Sequence, residues 1–302
     1  MTVAQWVLTC GEVLFDVVSK DAVELHAHVS GGPANAALAM AQAGLPVAVW
    51  AGRPSGVYGE RLAYVLREGG VSLEHFTPSA LPPTVSLASP RGTSVAYELY
   101  AEGTSAFDVR LEDAPIVAPD GSPFALVHLG GLGTAIQPMA DALRASAPMW
   151  RGRGTLIGYD PNMRDGLENR GQSLAEIEDW FGRADIVKVS TEDLDVLYPA
   201  EDRGACVARI LDFGARLVIL TDGPGPVQAF SATASAVRDV EPWPAEVLPA
   251  GAGDAFISGV YAELLRSPFS GRGASSDELL RLLDSGLAST LRQRERINGV
   301  TS

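Results

Sequence analysis

From Phe124 onward the chain alternates between two kinds of segment. Short apolar runs at residues 126–129, 156–159, 186–189 and 217–221 alternate with amphipathic stretches at 138–147, 174–181 and 206–213, with a short helix at 193–197. The runs are strand-length and apolar on both sides, which is the pattern of strands buried on both faces. Strands of that kind separated by helices predict a mainly parallel sheet with helices on both faces, an α/β architecture.

The first half of the chain feeds the same sheet and adds a second one. Residues 3–10 read as a first strand ending at Gly11, continued by 12–16, and residues 26–30 are extended and half polar. Ser30-Gly31-Gly32-Pro33-Ala34-Asn35 is a glycine turn opening an alanine-rich helix over 36–43, which Gly44 stops. Residues 47–51 form the next strand and 59–68 an amphipathic helix. Residues 84–100 alternate apolar and polar around Ser89-Pro90-Arg91-Gly92, a hairpin with one face outside the main core. Together with residues of about 12–29 it predicts a small accessory sheet. A second hairpin (227–230 with 236–240) and a last helix over 277–292 follow. Pro242-Trp243-Pro244 and the stretch 270–276 read as loops, and no internal repeat is visible, so residues 1–302 are expected to be one domain.

Charge and cysteine usage narrow the function. Against 23 basic residues stand 37 acids, a formal net charge of −14, which argues against non-specific binding to nucleic acid or an anionic membrane. The two cysteines, Cys10 and Cys206, and the four histidines show no metal-ligand spacing or disulfide framework. No signal-peptide pattern or membrane-length apolar run occurs, so a soluble, cytoplasmic protein is expected.

The chemistry concentrates at Gly251-Ala252-Gly253-Asp254-Ala255-Phe256. A glycine-rich turn entering a helix presents unpaired N–H groups at the positive end of the helix dipole, a natural anion site. Asp254 in that first turn either complements the dipole or acts as a general base while the N–H groups hold phosphoryl oxygens. In open α/β sheets ligands sit beyond the carboxyl ends of the strands. Those ends carry Asp16, Gly31-Gly32, Asp160-Pro161-Asn162-Met163-Arg164, Lys188-Val189-Ser190 and Thr221-Asp222-Gly223. No Gly-Lys pair occurs anywhere, so no Walker A loop holds a nucleotide, and no dinucleotide glycine fingerprint follows the first strand.

With the upstream glycine turn, the Gly251–Asp254 signature resembles the ribokinase-like, or PfkB, family of carbohydrate kinases, in order and over essentially the whole chain. Asp160-Pro161-Asn162-Met163-Arg164, Lys188-Val189-Ser190 and Pro83-Thr84-Val85-Ser86-Leu87 look most like its bacterial fructokinase branch. The resemblance implies a three-layer ribokinase-like fold with a small β-sheet lid, here about 12–29 and 84–108. It implies that Asp254 is the base and that Gly251, Ala252 and Gly253 form the anion hole. It implies sugar contacts from Asp16, Gly31, Gly32, Asn35 and Arg164. Lys188, Ser190, Thr221 and Gly223 then belong to the ATP end, and Asp193 to an element ordering Mg²⁺ through water. The implied activity is ATP-dependent phosphorylation of a small sugar, fructose first. Ribose, a nucleoside or 2-keto-3-deoxygluconate, or a catalytically weak sugar-binding role, are the alternatives, and a homodimer through the lid is implied as a partner arrangement. Four features depart from the family pattern. Leu248 and Pro249 stand where the family has Asp-Thr, which speaks against potassium activation of the usual kind. Ser30 replaces a glycine, the acid expected after Gly52-Arg53 is missing, and Ser190-Thr191-Glu192-Asp193 stands for Asn-x-x-Glu.

Overall fold

The computed structural model describes residues 4–19, 24–91, 94–163, 172–241 and 251–300. In chain order the first elements are β1 (Val7–Cys10), β2 (Leu14–Ser19), β3 (Leu25–Ser30), α1 (Gly32–Gln42), β4 (Val47–Pro54) and α2 (Gly56–Glu68). They are followed by β5 (Val71–Ser72), β6 (Phe76–Ser79), β7 (Val85–Arg91), β8 (Ser94–Tyr100), β9 (Leu126–Gly130), α3 (Met139–Arg151) and β10 (Leu156–Asp160). The remainder comprises α4 (Leu174–Arg183), β11 (Ile186–Ser190), α5 (Thr191–Leu197), α6 (Arg203–Phe213) and β12 (Leu217–Thr221). Last come β13 (Val227–Phe230), β14 (Ser235–Arg238), α7 (Ala252–Arg266) and α8 (Ser276–Val300).

The main sheet runs β14-β13-β12-β11-β10-β9-β1-β4-β5, with β6 also paired to β4. It is parallel from β5 to β12, and the β13–β14 hairpin closes one edge antiparallel. Neighbouring residues on β10 show how both faces are covered. Gly158 lies against Tyr261 of α7, whereas Tyr159 meets Trp180 and Phe181 of α4. Successive strand residues point to opposite faces, so the layer of α1, α7 and α8 covers one side and the layer containing α4 and α6 the other. The apolar runs are therefore buried twice over, with Leu126, Ile157, Val187 and Ile219 fully enclosed. A separate four-stranded sheet, β3-β2-β7-β8, holds the accessory strands.

The α/β architecture agrees with the sequence expectation, and the differences have local causes. Helix α1 starts at Gly32, not at residue 36, because Pro33 occupies its first turn, where its missing N–H costs nothing. Helix α2 starts at Gly56, with Ser55 at its N-cap, rather than at residue 59. Strand β4 extends to Pro54 because β6 pairs with its second half. Helix α5 starts at Thr191, with Ser190 as its N-cap. The Pro242-Trp243-Pro244 loop lies outside the described residues.

One buried polar contact ties the sheet to α7. His128 of β9, 2% exposed, is hydrogen-bonded through Nδ1 to the Tyr261 hydroxyl at 3.0 Å. Burial, aided by the positive Lys188, pushes the imidazole down to about 3, so it is neutral in the fold. The unfolded chain takes a proton at its histidines below about pH 6.5. Stability from this site is therefore complete above pH 6.5 and is lost as the pH falls towards 3, by about 1.4 kcal/mol per pH unit. His128→Gln should lose less stability than the wild type when unfolding by urea is compared at pH 7 and pH 4.5. Parallel losses in the two proteins would contradict this assignment.

Candidate active site

Strand β1 pairs with β4 on one side and β9 on the other. The chain therefore leaves its carboxyl end at a switch point of the sheet, where open α/β folds form their clefts. A cleft enclosing about 830 Å³, part of it open solvent, lies there. Asp16, Gly31, Gly32 and Asn35 line it together. Asp16 comes from β2, so the small sheet supplies a wall, as do Ser86 of β7 and Leu99 of β8. Asp16 Oδ1 is buried without a hydrogen-bond partner among the described residues, while Oδ2 stands 3.8 Å from His28 Nε2. Asn35 donates from its amide to Ser30 Oγ at 3.5 Å.

Asn162, from the strand-end stretch 160–164, also lines the cleft, as do Glu12 and Gln172, which sequence reasoning left out of the site. Glu12 follows Gly11 at the carboxyl end of β1, the same positional rule that found Asp16, and is 4% exposed. Gly131 makes room for it: its φ is +57°, and a Cβ there would lie 2.6 Å from Glu12 Oε1. Asn162 has φ +47°, a conformation asparagine tolerates, and its N–H donates to Asp160 Oδ1 at 3.1 Å. Among the described residues the cleft lining contains two carboxylates and no lysine, arginine or histidine.

The anion site is built by the start of α7. Gly251 is its N-cap with φ +72°, a left-handed turn that suits glycine. The first turn closes when Ala255 N–H donates to the Gly251 carbonyl at 2.9 Å, leaving the Ala252 and Gly253 N–H groups with no partner inside the helix. Asp254 lies in that turn, half buried.

The nucleotide-side candidates lie three and four strands from β1, on β11 and β12. Lys188 Nζ is 3.1 Å from Asp160 Oδ2, both side chains being under 10% exposed. Ser190 caps α5: its N–H and hydroxyl donate to Asp193 Oδ2 at 2.6 and 2.7 Å, and its Oγ accepts from Asp193 N–H. Met163 N–H donates to Asp193 Oδ1 at 2.7 Å, so both carboxylate oxygens bind the chain itself. Burial pushes Asp193 above the usual carboxylate range, against the pull of Lys188. Thr221 pairs in register with Ser190. Gly223, at φ +52°, has open space where a side chain would be. Arg164, Leu248 and Pro249 lie outside the described residues.

The structure thus provides a polyol-sized polar cleft and, against Lys188, a helix N-terminus carrying an acid, with Asp254 and its glycine turn not among the residues that line the cleft. Residues 2–288 match the pfkB family carbohydrate kinases, and the chain belongs to that family. A fructokinase of Rhizobium leguminosarum bv. trifolii is 27% identical, over 85% of this chain and 79% of its own length. An ATP-dependent 6-phosphofructokinase of Thermoanaerobacterium thermosaccharolyticum is 25% identical, over 86% and 81%. The crystal structure of a Vibrio cholerae fructokinase double mutant, bound to fructose, ADP and potassium, superposes with a TM-score of 0.81 at 20% identity, over 95% of this chain and 90% of that one. At that identity the likeness is one of fold.

Gly131→Ala tests whether the cleft takes the sugar. It should raise the sugar KM at least about tenfold, equivalent to 1.4 kcal/mol, with the ATP KM little changed. An unaltered sugar KM would place the sugar elsewhere.

Proposed function

We propose that this protein is an ATP-dependent kinase that transfers the γ-phosphoryl group to a hydroxyl of a neutral sugar, fructose. The observation that carries the reading is the cleft, where Asp16, Gly31, Gly32 and Asn35 converge with the distant Asn162 and Gln172 at the carboxyl end of β1. Two carboxylates in a lining without a described cation accept hydrogen bonds from hydroxyls. They also repel a substrate that already carries phosphate or carboxylate, which favours fructose over a sugar phosphate or 2-keto-3-deoxygluconate.

In the proposed reaction Asp254 takes the proton from the attacking hydroxyl. The hydroxyl oxygen bonds to the γ-phosphorus as the bond to the β–γ bridging oxygen breaks, and ADP leaves with that electron pair. The Ala252 and Gly253 N–H groups, with the Gly251 turn, stabilise charge on the transferring group. ATP would run along the ends of β11 and β12, past Lys188, Ser190, Thr221 and Gly223, with Arg164 joining the sugar side. The described residues contain no group of three or more His, Cys, Asp or Glu side chains able to ligate a metal. Both Asp193 oxygens are also engaged, so the site fits Mg²⁺ only as an ion brought in by the phosphates. The small sheet, already a wall of the cleft, would act as a lid that excludes water.

The test is ADP release with ATP and Mg²⁺ from fructose, ribose, a nucleoside, 2-keto-3-deoxygluconate and fructose 6-phosphate, each with and without potassium. Fructose should turn over fastest, at similar rates in both salts. No ADP from fructose would overturn the substrate assignment, and sugar binding without ADP from any substrate would overturn the kinase reading. Asp254→Ala should lower kcat by roughly 10²–10⁴-fold with a smaller change in KM.

The edge strands of the small sheet expose Leu25 on β3 and Tyr100 on β8, 64% and 58% accessible. Unpaired edges with apolar side chains favour pairing with another chain, so a homodimer through this sheet is part of the proposal. Light scattering at micromolar concentration should give the dimer mass, and a monomer mass would refute it.

A further inference from the structure

Lysine is scarce in this chain, with Lys20 and Lys188 its only two. Lysine side chains ordinarily keep their ammonium in water, yet Lys188 is 9% exposed, with Nζ 3.1 Å from Asp160 Oδ2. A Cβ on Gly253 would lie 3.7 Å from that Nζ. The ammonium therefore lies against the first turn of α7, at ordinary contact distance from where a side chain at position 253 would begin. One carboxylate would suffice to neutralise it. Three act on it instead: Asp160 from β10, Asp193 from α5 and Asp254 from α7.

Among the described residues, the elements packed around it add no net charge. His128 on β9 is neutral, and burial with the nearby Asp160 keeps the Tyr261 phenol protonated. Helix α1, packed along α7, contains no charged residue. From α8 the Gln293 amide approaches Gly251, and Arg294 is paired with Glu241 at 3.1 Å. Asp254 thus shares its neighbourhood with two further acids and one fixed cation. Like charges drive a proton onto a carboxylate and an opposite charge removes it.

We infer that Lys188 is a positioning residue for phosphoryl transfer: its buried ammonium, anchored by Asp160 beside Gly253, is the counter-charge that holds Asp254 as a carboxylate ready to accept a proton. This rests on the proposed role of Asp254 as base. It assigns Lys188 a task other than gripping the nucleotide. To reach a phosphate the lysine would have to leave Asp160 buried and unpaired, which is costly.

The experiment measures kcat and KM from pH 5.5 to 9 for the wild type, Lys188→Met, Asp160→Asn and the double variant, with ATP, Mg²⁺ and the sugar the wild type uses. Losing the cation should move the acid limb of kcat up by about one pH unit, roughly tenfold in rate below the limb. The ATP KM should stay within about threefold. Asp160→Asn should move the limb the opposite way, and the double variant, which removes both charges without leaving either buried alone, should fall between. Structural damage alone would not produce shifts of opposite sign. Coincident limbs in the wild type and Lys188→Met, or a raised ATP KM at unchanged kcat, would overturn the inference. If the wild type turns over no sugar, the kinase reading fails. The inference is then judged without turnover, by the ¹³C titration of the Asp254 carboxyl, assigned with Asp254→Asn. That titration should shift upward in Lys188→Met, and an unshifted curve would overturn it.

Discussion

The pairing of β10 with β11 fixes the middle of this molecule. Gly158 faces Ile186 and Tyr159 faces Val187, which brings Asp160 and Lys188 side by side at the strand ends. Removing two such charges from water costs several kcal/mol per ion, and only close pairing with further hydrogen bonds recovers it. A slip of one residue would send one partner to the opposite face, leaving an acid among the apolar side chains of α4 or a lysine without its acid. The ion pair therefore penalises wrong registers more than it stabilises the right one. The right one also places the Asp160–Met163 turn against α5, where Asp193 accepts from Met163 N–H.

The same alignment sets the spacing of the proposed reaction. The cleft opens at β1, and the nucleotide-side residues stand on β11 and β12, with β9 and β10 between. Neighbouring strands are about 4.8 Å apart, so β1 and β12 are separated by roughly 19 Å along the sheet edge. A sugar at one end and a nucleoside at the other would meet only through the extended triphosphate. Among the described residues, the chain places the N-terminus of α7 and the Lys188 ammonium, both positive, at the β10–β11 side of that interval.

Much of this was legible in the sequence because its signals are local. Apolar runs of strand length interrupted by amphipathic helices require a parallel sheet, and the glycines at 31, 32, 251 and 253 mark turns wherever the chain goes. The rest depends on contacts between distant segments. Glu12 becomes a cleft residue only when Gly131, more than a hundred positions later, gives its carboxylate room. Gln172 joins by folding back to donate to the Thr134 carbonyl at 3.1 Å. The Ser190-x-x-Asp193 spacing is itself a capping-box signature, and the fold uses it as one. The family resemblance drew attention to magnesium at that position, and the local signal pointed to the helix start.

The acids of the cleft illustrate how one feature can serve the fold and the chemistry in opposite ways. Asp16 Oδ1 is buried without a hydrogen-bond partner among the described residues, an unfavourable place for an ionised oxygen, and Glu12 lines the same cleft. A polyol brings hydroxyl donors fixed in direction, so part of the cost of burying the carboxylates returns as binding energy, and only for ligands that present donors at those positions. An aldonate or a sugar phosphate brings donors too, but also a charge of the same sign into a partly desolvated space, where repulsion is screened least. In the proposed reading, selectivity for a neutral sugar follows from where the carboxylates are buried, without any side chain needing to clash with the rejected substrate.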